Sequence, residues 1–162
     1  MPEPRIDRPG IPPEYGLAKA TTFVPWEHVE GRLRDERVYW IATVSPEGRP
    51  RVRPIDAVYV NGSIFVGGSP KTRWVQDLAS GGPVTVHLEG PTDIVIVEGD
   101  AVVHRSVEMP LGEELAAASK AKFPEYGMTA SFYRTNGAIE LRIRKVIAWT
   151  DISKDPTRFR FD

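Results

Sequence analysis

Apolar and polar residues alternate along much of the chain with the two-residue period of β-strands, interrupted by short clusters of Pro, Gly and Asn. Val38–Val44 is rich in β-branched and aromatic residues and predicts a strand. Ser45-Pro46-Glu47-Gly48 is a turn, Arg51–Val60 the next strand, Asn61-Gly62 a hairpin signal, and Ser63–Val66 a third strand. Val84–Leu88 and Asp93–His104 are two more, divided by Glu89-Gly90-Pro91. Within them Ile94-Val95-Ile96-Val97 is apolar on both faces, as in a central strand or one at a subunit contact. In Ala138–Thr150, Ile139, Leu141 and Ile143 alternate with Glu140, Arg142 and Arg144. A helical period appears in three places. Pro25–Leu33 puts Trp26, Val29 and Leu33 on one face, Thr72–Ala79 does so with Trp74, Val75 and Leu78, and Pro110–Lys122 ends at Phe123-Pro124-Glu125-Tyr126-Gly127.

About six strands joined by short hairpins, with few helices, predict a mainly β fold: a six-stranded, closed or nearly closed antiparallel barrel. A doubly wound α/β fold would need helices between most strands. Residues 1–34 read as an arm plus a short helix, and 35–162 as the barrel domain. The arm is stiffened by Pro2, Pro4, Pro9, Pro12 and Pro13, and such a segment lies on a partner subunit or in solvent.

Composition narrows the chemistry. The 162 residues suffice for one domain with a real core, and a net charge of −1 implies no general attraction to nucleic acid or to an anionic membrane. Cysteine is absent, which excludes disulfides, thiol nucleophiles and thiolate metal sites and fits a reducing cytoplasm. The polar, Pro-rich start lacks the apolar stretch of a signal peptide, and no run is long enough to span a bilayer. His28, His87 and His104 have no metal-ligand spacing, so no metal site is expected. The serines lack a nearby general-base signature, which argues against hydrolase chemistry.

Two segments carry candidate binding chemistry. Gly67-Gly68-Ser69-Pro70-Lys71-Thr72-Arg73 is a small-residue loop with hydroxyls and two cations, set before a helix. Backbone N–H groups and full positive charges suit it to a phosphate. A plainer alternative makes Ser69 the N-cap, Pro70 the first helical residue and Lys71 a solvated side chain. Neither the P-loop nor the dinucleotide glycine pattern is present. In the second strand, alternation places Arg51 and Arg53 on one face, where they can flank a phosphate or a polar ring edge. The alternative is a solvated edge strand, to which Pro54 is suited because it cannot donate in a ladder. The aromatics Tyr39, Trp40, Tyr59, Phe65, Trp74 and Trp149 are expected mostly in the core, with one or two left to stack on a flat ring.

The order Tyr39-Trp40-Ile41-Ala42-Thr43-Val44-Ser45-Pro46-Glu47-Gly48-Arg49-Pro50, then Arg51-Val52-Arg53-Pro54, then Val66-Gly67-Gly68-Ser69-Pro70-Lys71-Thr72-Arg73, resembles the pyridoxamine 5′-phosphate oxidase-like split β-barrel superfamily. The likeness runs from about Val38 to Thr150, and its specific part lies in the first half. The Glu47-to-Pro50 hairpin and the Lys71-Thr72-Arg73 loop look closest to the B-type flavin/deazaflavin oxidoreductases, which include proteins using coenzyme F-420. The resemblance implies a homodimer of six-stranded split barrels with a cofactor in a groove at the interface. It implies that Lys71, Thr72 and Arg73 hold the cofactor phosphate, that Arg51, Arg53, Pro54 and Ile55 line phosphate and ring, and that Ser69 sits beside them. It further implies an oxidoreductase in which F-420, or alternatively FMN, carries hydride to a small planar or conjugated substrate, with no covalent catalytic side chain. A barrel that carries a flavin, deazaflavin or haem without turnover is the other reading. The C-terminal Arg-and-Trp substrate motif of true pyridoxamine phosphate oxidases is not recognisable after Trp149, so that vitamer is not the expected substrate.

Overall fold

A computed structural model describes residues 3–15, 20–79 and 81–161. Met1, Pro2 and residues 16–19 of the predicted arm, together with Ser80 and Asp162, lie outside the described residues. The strands are β1 (Arg5–Asp7), β2 (Val38–Val44), β3 (Pro50–Val60), β4 (Ser63–Val66), β5 (Gly82–Leu88), β6 (Ile94–His104), β7 (Ala138–Trp149) and β8 (Thr157–Arg160). The helices are α1 (Trp26–Asp35), α2 (Arg73–Leu78), α3 (Leu111–Lys122) and α4 (Ala130–Asn136).

All pairings are antiparallel, in the order β1-β8-β7-β4-β3-β2-β5-β6, and β6 also pairs with β7. That last pairing closes β7-β4-β3-β2-β5-β6 into the expected six-stranded barrel, with β8 and β1 appended outside the ring. The turn chemistry agrees: Asn61 and Gly62 take φ of 51° and 82°, the two positive values of a type I′ hairpin. Two differences from the sequence reading stand out. Helix α2 starts at Arg73 and is only six residues long, and α4 was not foreseen.

The strand lengths are unequal, and this positions the site. Residues 57–60 of β3 pair with β4, whereas residues 50–56 pair only with β2. Strand β4 ends at Val66, so the opposite edge of β3 from Pro50 to Asp56 is left open. At the same level on the far side of β4, β7 has not yet begun, since Val66 pairs with Ile139. The barrel wall is thus split beyond the end of β4.

Cross-strand partners share a face of the sheet. The inner face (Ile41, Ile64, Val86, Leu141 and Val146, each at most 2% exposed) forms the main core. Helix α1 adds Val29 and Leu33, both fully buried, and Trp26 packs edge-on against Phe159 and Phe161 at ring separations of 5.1 and 5.0 Å. On the outer face Val58 and Phe65 join Leu115, Phe123 and Tyr133 in a second, smaller core beneath α3 and α4.

The two cores are tied at the C-terminal end of α1. Carbonyls at its end find partners: Tyr39 OH donates to Leu33 O, and Lys122 Nζ on α3 donates to Leu33 O (3.3 Å) and Glu36 O (2.8 Å), and also to Ala57 O of β3 (3.1 Å). Burial pushes the Tyr39 hydroxyl well above its ordinary value of 10.0, and burial followed by the Glu30 hydrogen bond does the same to Tyr59. Above about pH 10 an unfolded chain loses protons that the fold retains, so stability falls as pH rises through that region. Burial holds Lys122 down to about 8, which acts in the opposite sense between that pH and 10.5. Thermal melts from pH 8 to 12 should therefore show a steep loss beginning near pH 10, and Tyr39→Phe should make it shallower. A melting temperature flat across pH 10–12 would contradict this account.

Candidate functional site

A cavity of about 640 Å³ occupies the split. One wall is β3 from Pro54 to Val58, its edge open as far as Asp56. The loop leaving β4 (Gly67, Gly68, Ser69 and Pro70) and Trp74 of α2 form the second, and the third comes from α3, α4 and the turns around them: Ser119, Phe123, Tyr126, Met128, Phe132, Tyr133, Asn136 and Gly137. The lining is predominantly aromatic and aliphatic. Asp56 is the one Asp, Glu, Lys or Arg in the lining among the described residues, and it accepts a hydrogen bond from Tyr126 OH at 2.5 Å. That carboxylate raises the Tyr126 pKa.

The loop is a tight turn. Thr72 N and Thr72 Oγ1 both donate to Ser69 O, at 2.9 and 2.7 Å, and Lys71 N donates to Ser69 Oγ at 3.3 Å. Ser69 therefore organises the turn and does not cap α2. Thr72 holds the N-cap position but makes no side-chain capping bond. The N–H groups of Gly67, Gly68 and Ser69 donate to no acceptor among the described residues. Such free, successive amides are an anion-binding feature. Gly68 is also sterically required, because a Cβ there would approach the Trp74 ring to 2.6 Å.

Of the eight residues singled out from sequence, Pro54, Ile55 and Ser69 line the cavity. Lys71 and Arg73 are exposed and Thr72 half-buried, next to the lining loop but outside it. Arg51 and Arg53 do share a face, and it is the inner one: they pair across the sheet with Thr43 and Ile41, both at most 2% exposed. Their surroundings differ. Arg51 Nη1 reaches both oxygens of Asp77 on α2, at 2.7 and 2.8 Å, and Thr43 Oγ1 donates to the same carboxylate at 3.2 Å. With the Asp77 side chain only 4% exposed, the charge of Arg51 is neutralised within the chain. The Arg53 side chain makes no hydrogen bond or ion pair among the described residues, and its buried Nε lacks a partner. Of the two arginines, Arg51 alone is neutralised by a carboxylate among the described residues.

Sequence reasoning missed Asp77, whose partner is 26 positions away, and the whole third wall. The aromatic runs Phe123-Pro124-Glu125-Tyr126 and Phe132-Tyr133 were its only signal, and the former registered as a helix stop. No group of His, Asp and Glu suited to a metal occurs among the described residues. Nor is any described helix long and apolar enough to cross a membrane.

Comparison with known families matches residues 25–149 to the model described as pyridoxamine 5′-phosphate oxidase. A comparison with curated proteins finds no match. Among solved structures, a conserved hypothetical protein from Mycobacterium tuberculosis superposes with a TM-score of 0.64 at 16% identity, covering 83% of this chain and 89% of the other. A candidate 5-nitroimidazole antibiotic resistance protein from Bacteroides thetaiotaomicron gives 0.64 at 10% identity, covering 96% and 92%. HutZ, the heme storage protein of Vibrio cholerae, gives 0.56 at 17% identity, covering 72% and 87%. At these identities the three structures show the shared fold.

Proposed function

The chain belongs to the pyridoxamine 5′-phosphate oxidase family, and on that footing we propose that it is an oxidoreductase that binds coenzyme F-420, with FMN as the alternative, and reduces a small planar or conjugated organic molecule. The observation that carries this reading is the division of labour at the split. An apolar cavity with almost no charge abuts a loop of free N–H groups, followed directly by Lys71 and Arg73. A ligand that is a neutral polycyclic ring at one end and a phosphate at the other matches both halves. The amides of Gly67, Gly68 and Ser69, the side chains of Lys71 and Arg73, and Arg53 with its unpartnered Nε would hold the phosphate. Pro54, Ile55 and Trp74 would line the ring. A reduced deazaflavin or flavin supplies a hydride equivalent; the chain's part is to orient ring and substrate face to face and exclude water.

Fluorescence titration with F-420 and with FMN tests this. Micromolar binding of one of them is expected, and the reading fails if neither binds below millimolar. Lys71→Ala should weaken binding about tenfold by removing a charge-assisted contact to phosphate. A second reading, storage or carriage of a flavin, deazaflavin or haem without turnover, draws support from the likeness to HutZ. Tight binding without reductase activity across a panel of conjugated substrates would favour it.

We also propose that the protein is a homodimer through the outer face of β3, β2, β5 and β6. The cross-strand row Pro54, Trp40, His87, Ile96 and Ile147 lies on that face, with Trp40 and His87 stacked 4° from parallel. Beside it Val44 and Val52 are 57% and 59% exposed. A face this apolar is unusual for a monomer. Light scattering should give twice the chain mass, and Val52→Glu should shift it toward the monomer; a monomeric native protein would end the proposal.

A further inference from the structure

Two buried hydroxyls in the cavity wall share a single hydrogen bond. Ser119 on α3 and Tyr133 on α4 are each 4% exposed, and both line the cavity. Their oxygens lie 2.6 Å apart, and each is the other's only hydrogen-bond partner among the described residues. Two hydroxyls bring two protons, and their mutual bond uses one. The second O–H, whichever residue carries it, has no acceptor among the described residues, so only the cavity's contents, water or a ligand, can accept from it. An unmet donor in an aromatic wall costs stability until something accepts from it. Burial also raises the Tyr133 pKa, so the pair is neutral at physiological pH.

We propose that the Ser119–Tyr133 pair is a recognition point for a carbonyl-type oxygen on the cavity's ligand. The class this selects is planar, uncharged and acceptor-bearing, such as a cyclic ketone, enone or quinone. The charges point the same way: no cation lines the cavity among the described residues, and Asp56 in its wall disfavours a carboxylate. A hydrocarbon of the same shape would fill the space but strand the O–H. The inference rests on reading the cavity as a ligand site and is independent of which cofactor the loop holds.

The test compares three bicyclic probes on the purified protein by calorimetry: 1-tetralone, tetralin, and 2-naphthoate. Tetralone should bind about tenfold more tightly than tetralin, the worth of one buried hydrogen bond, and naphthoate weakest. Ser119→Ala and Tyr133→Phe singly should keep most of the preference, because the surviving hydroxyl still donates. The double variant should lose it while binding tetralin within about twofold of the native protein. A purely structural role for the pair would not produce that pattern. Equal binding of tetralone and tetralin to the native protein overturns the proposal, and this comparison requires no variant to fold. Persistence of the preference in the double variant overturns it as well. Should F-420 and FMN fail to bind while tetralone is still preferred, the oxidoreductase reading fails and this one stands; cofactor binding without the preference gives the reverse.

Discussion

Gly137→Ala is expected to destabilise the protein by about 3 kcal/mol or more, a large share of the stability of an ordinary domain. Gly137 joins α4 to β7 with φ 71° and ψ −164°, a backbone conformation that is essentially glycine's alone. A Cβ there would also run into the carbonyl oxygen of His104 and the backbone of Arg105, which cannot swing aside as a flexible side chain can. Strand β6 is paired with β7 at this level, His104 opposite Ala138, so relief would mean unpairing the start of β7. Because Gly137 lines the cavity, the damage should spread to ligand binding. Gly127→Ala is the control: Gly127 has φ 57° and ψ 32°, with open space around its would-be Cβ. It should cost only about 1–2 kcal/mol, the ordinary penalty of a left-handed residue. Urea unfolding of both variants decides, and equal losses would mean that the contact with β6 has no consequence.

The contrast between these glycines parallels what could and could not be seen in the sequence. Strands β2 to β4 were legible because their information is local: β-branched alternation, and an Asn-Gly pair that tolerates two positive φ values. The closure of six strands followed from hairpin lengths. Helix α4 escaped because seven residues hold barely two turns, with Phe132 partly exposed and only Tyr133 buried. Strands β8 and β1, four and three residues long, are held by Asp7 reaching Arg158 and Arg160 across 151 and 153 positions, which no local pattern encodes. The site divides the same way. Composition marks the loop Ser69–Arg73 as a candidate, and alternation puts Arg51 and Arg53 on one face, as the register shows. What separates the two arginines is Asp77, and only the fold brings it beneath one of them.

That separation leads to the second large effect. Arg51→Ala would leave the Asp77 carboxylate, 4% exposed, with the Thr43 hydroxyl at 3.2 Å as its one side-chain partner among the described residues. Removing one partner of a buried ion pair costs about 3–5 kcal/mol, because the remaining charge keeps its desolvation penalty and loses its compensation. Arg51 is itself a quarter exposed, so water can enter after truncation, and the lower end of that range is the expectation. Arg53→Ala, two residues away on the same face, removes a side chain with no polar partner among the described residues and should change stability by less than about 1 kcal/mol. Its effect should appear in cofactor titrations as a roughly tenfold or greater loss, which Arg51→Ala would show only through partial unfolding. The double variant Arg51→Ala/Asp77→Ala separates the causes: with both charges gone it should recover much of the lost stability, since no unpaired ion remains. If Arg53→Ala proves the more destabilising substitution, or the double variant is no better than Arg51→Ala alone, the division of the two arginines between scaffold and ligand is wrong.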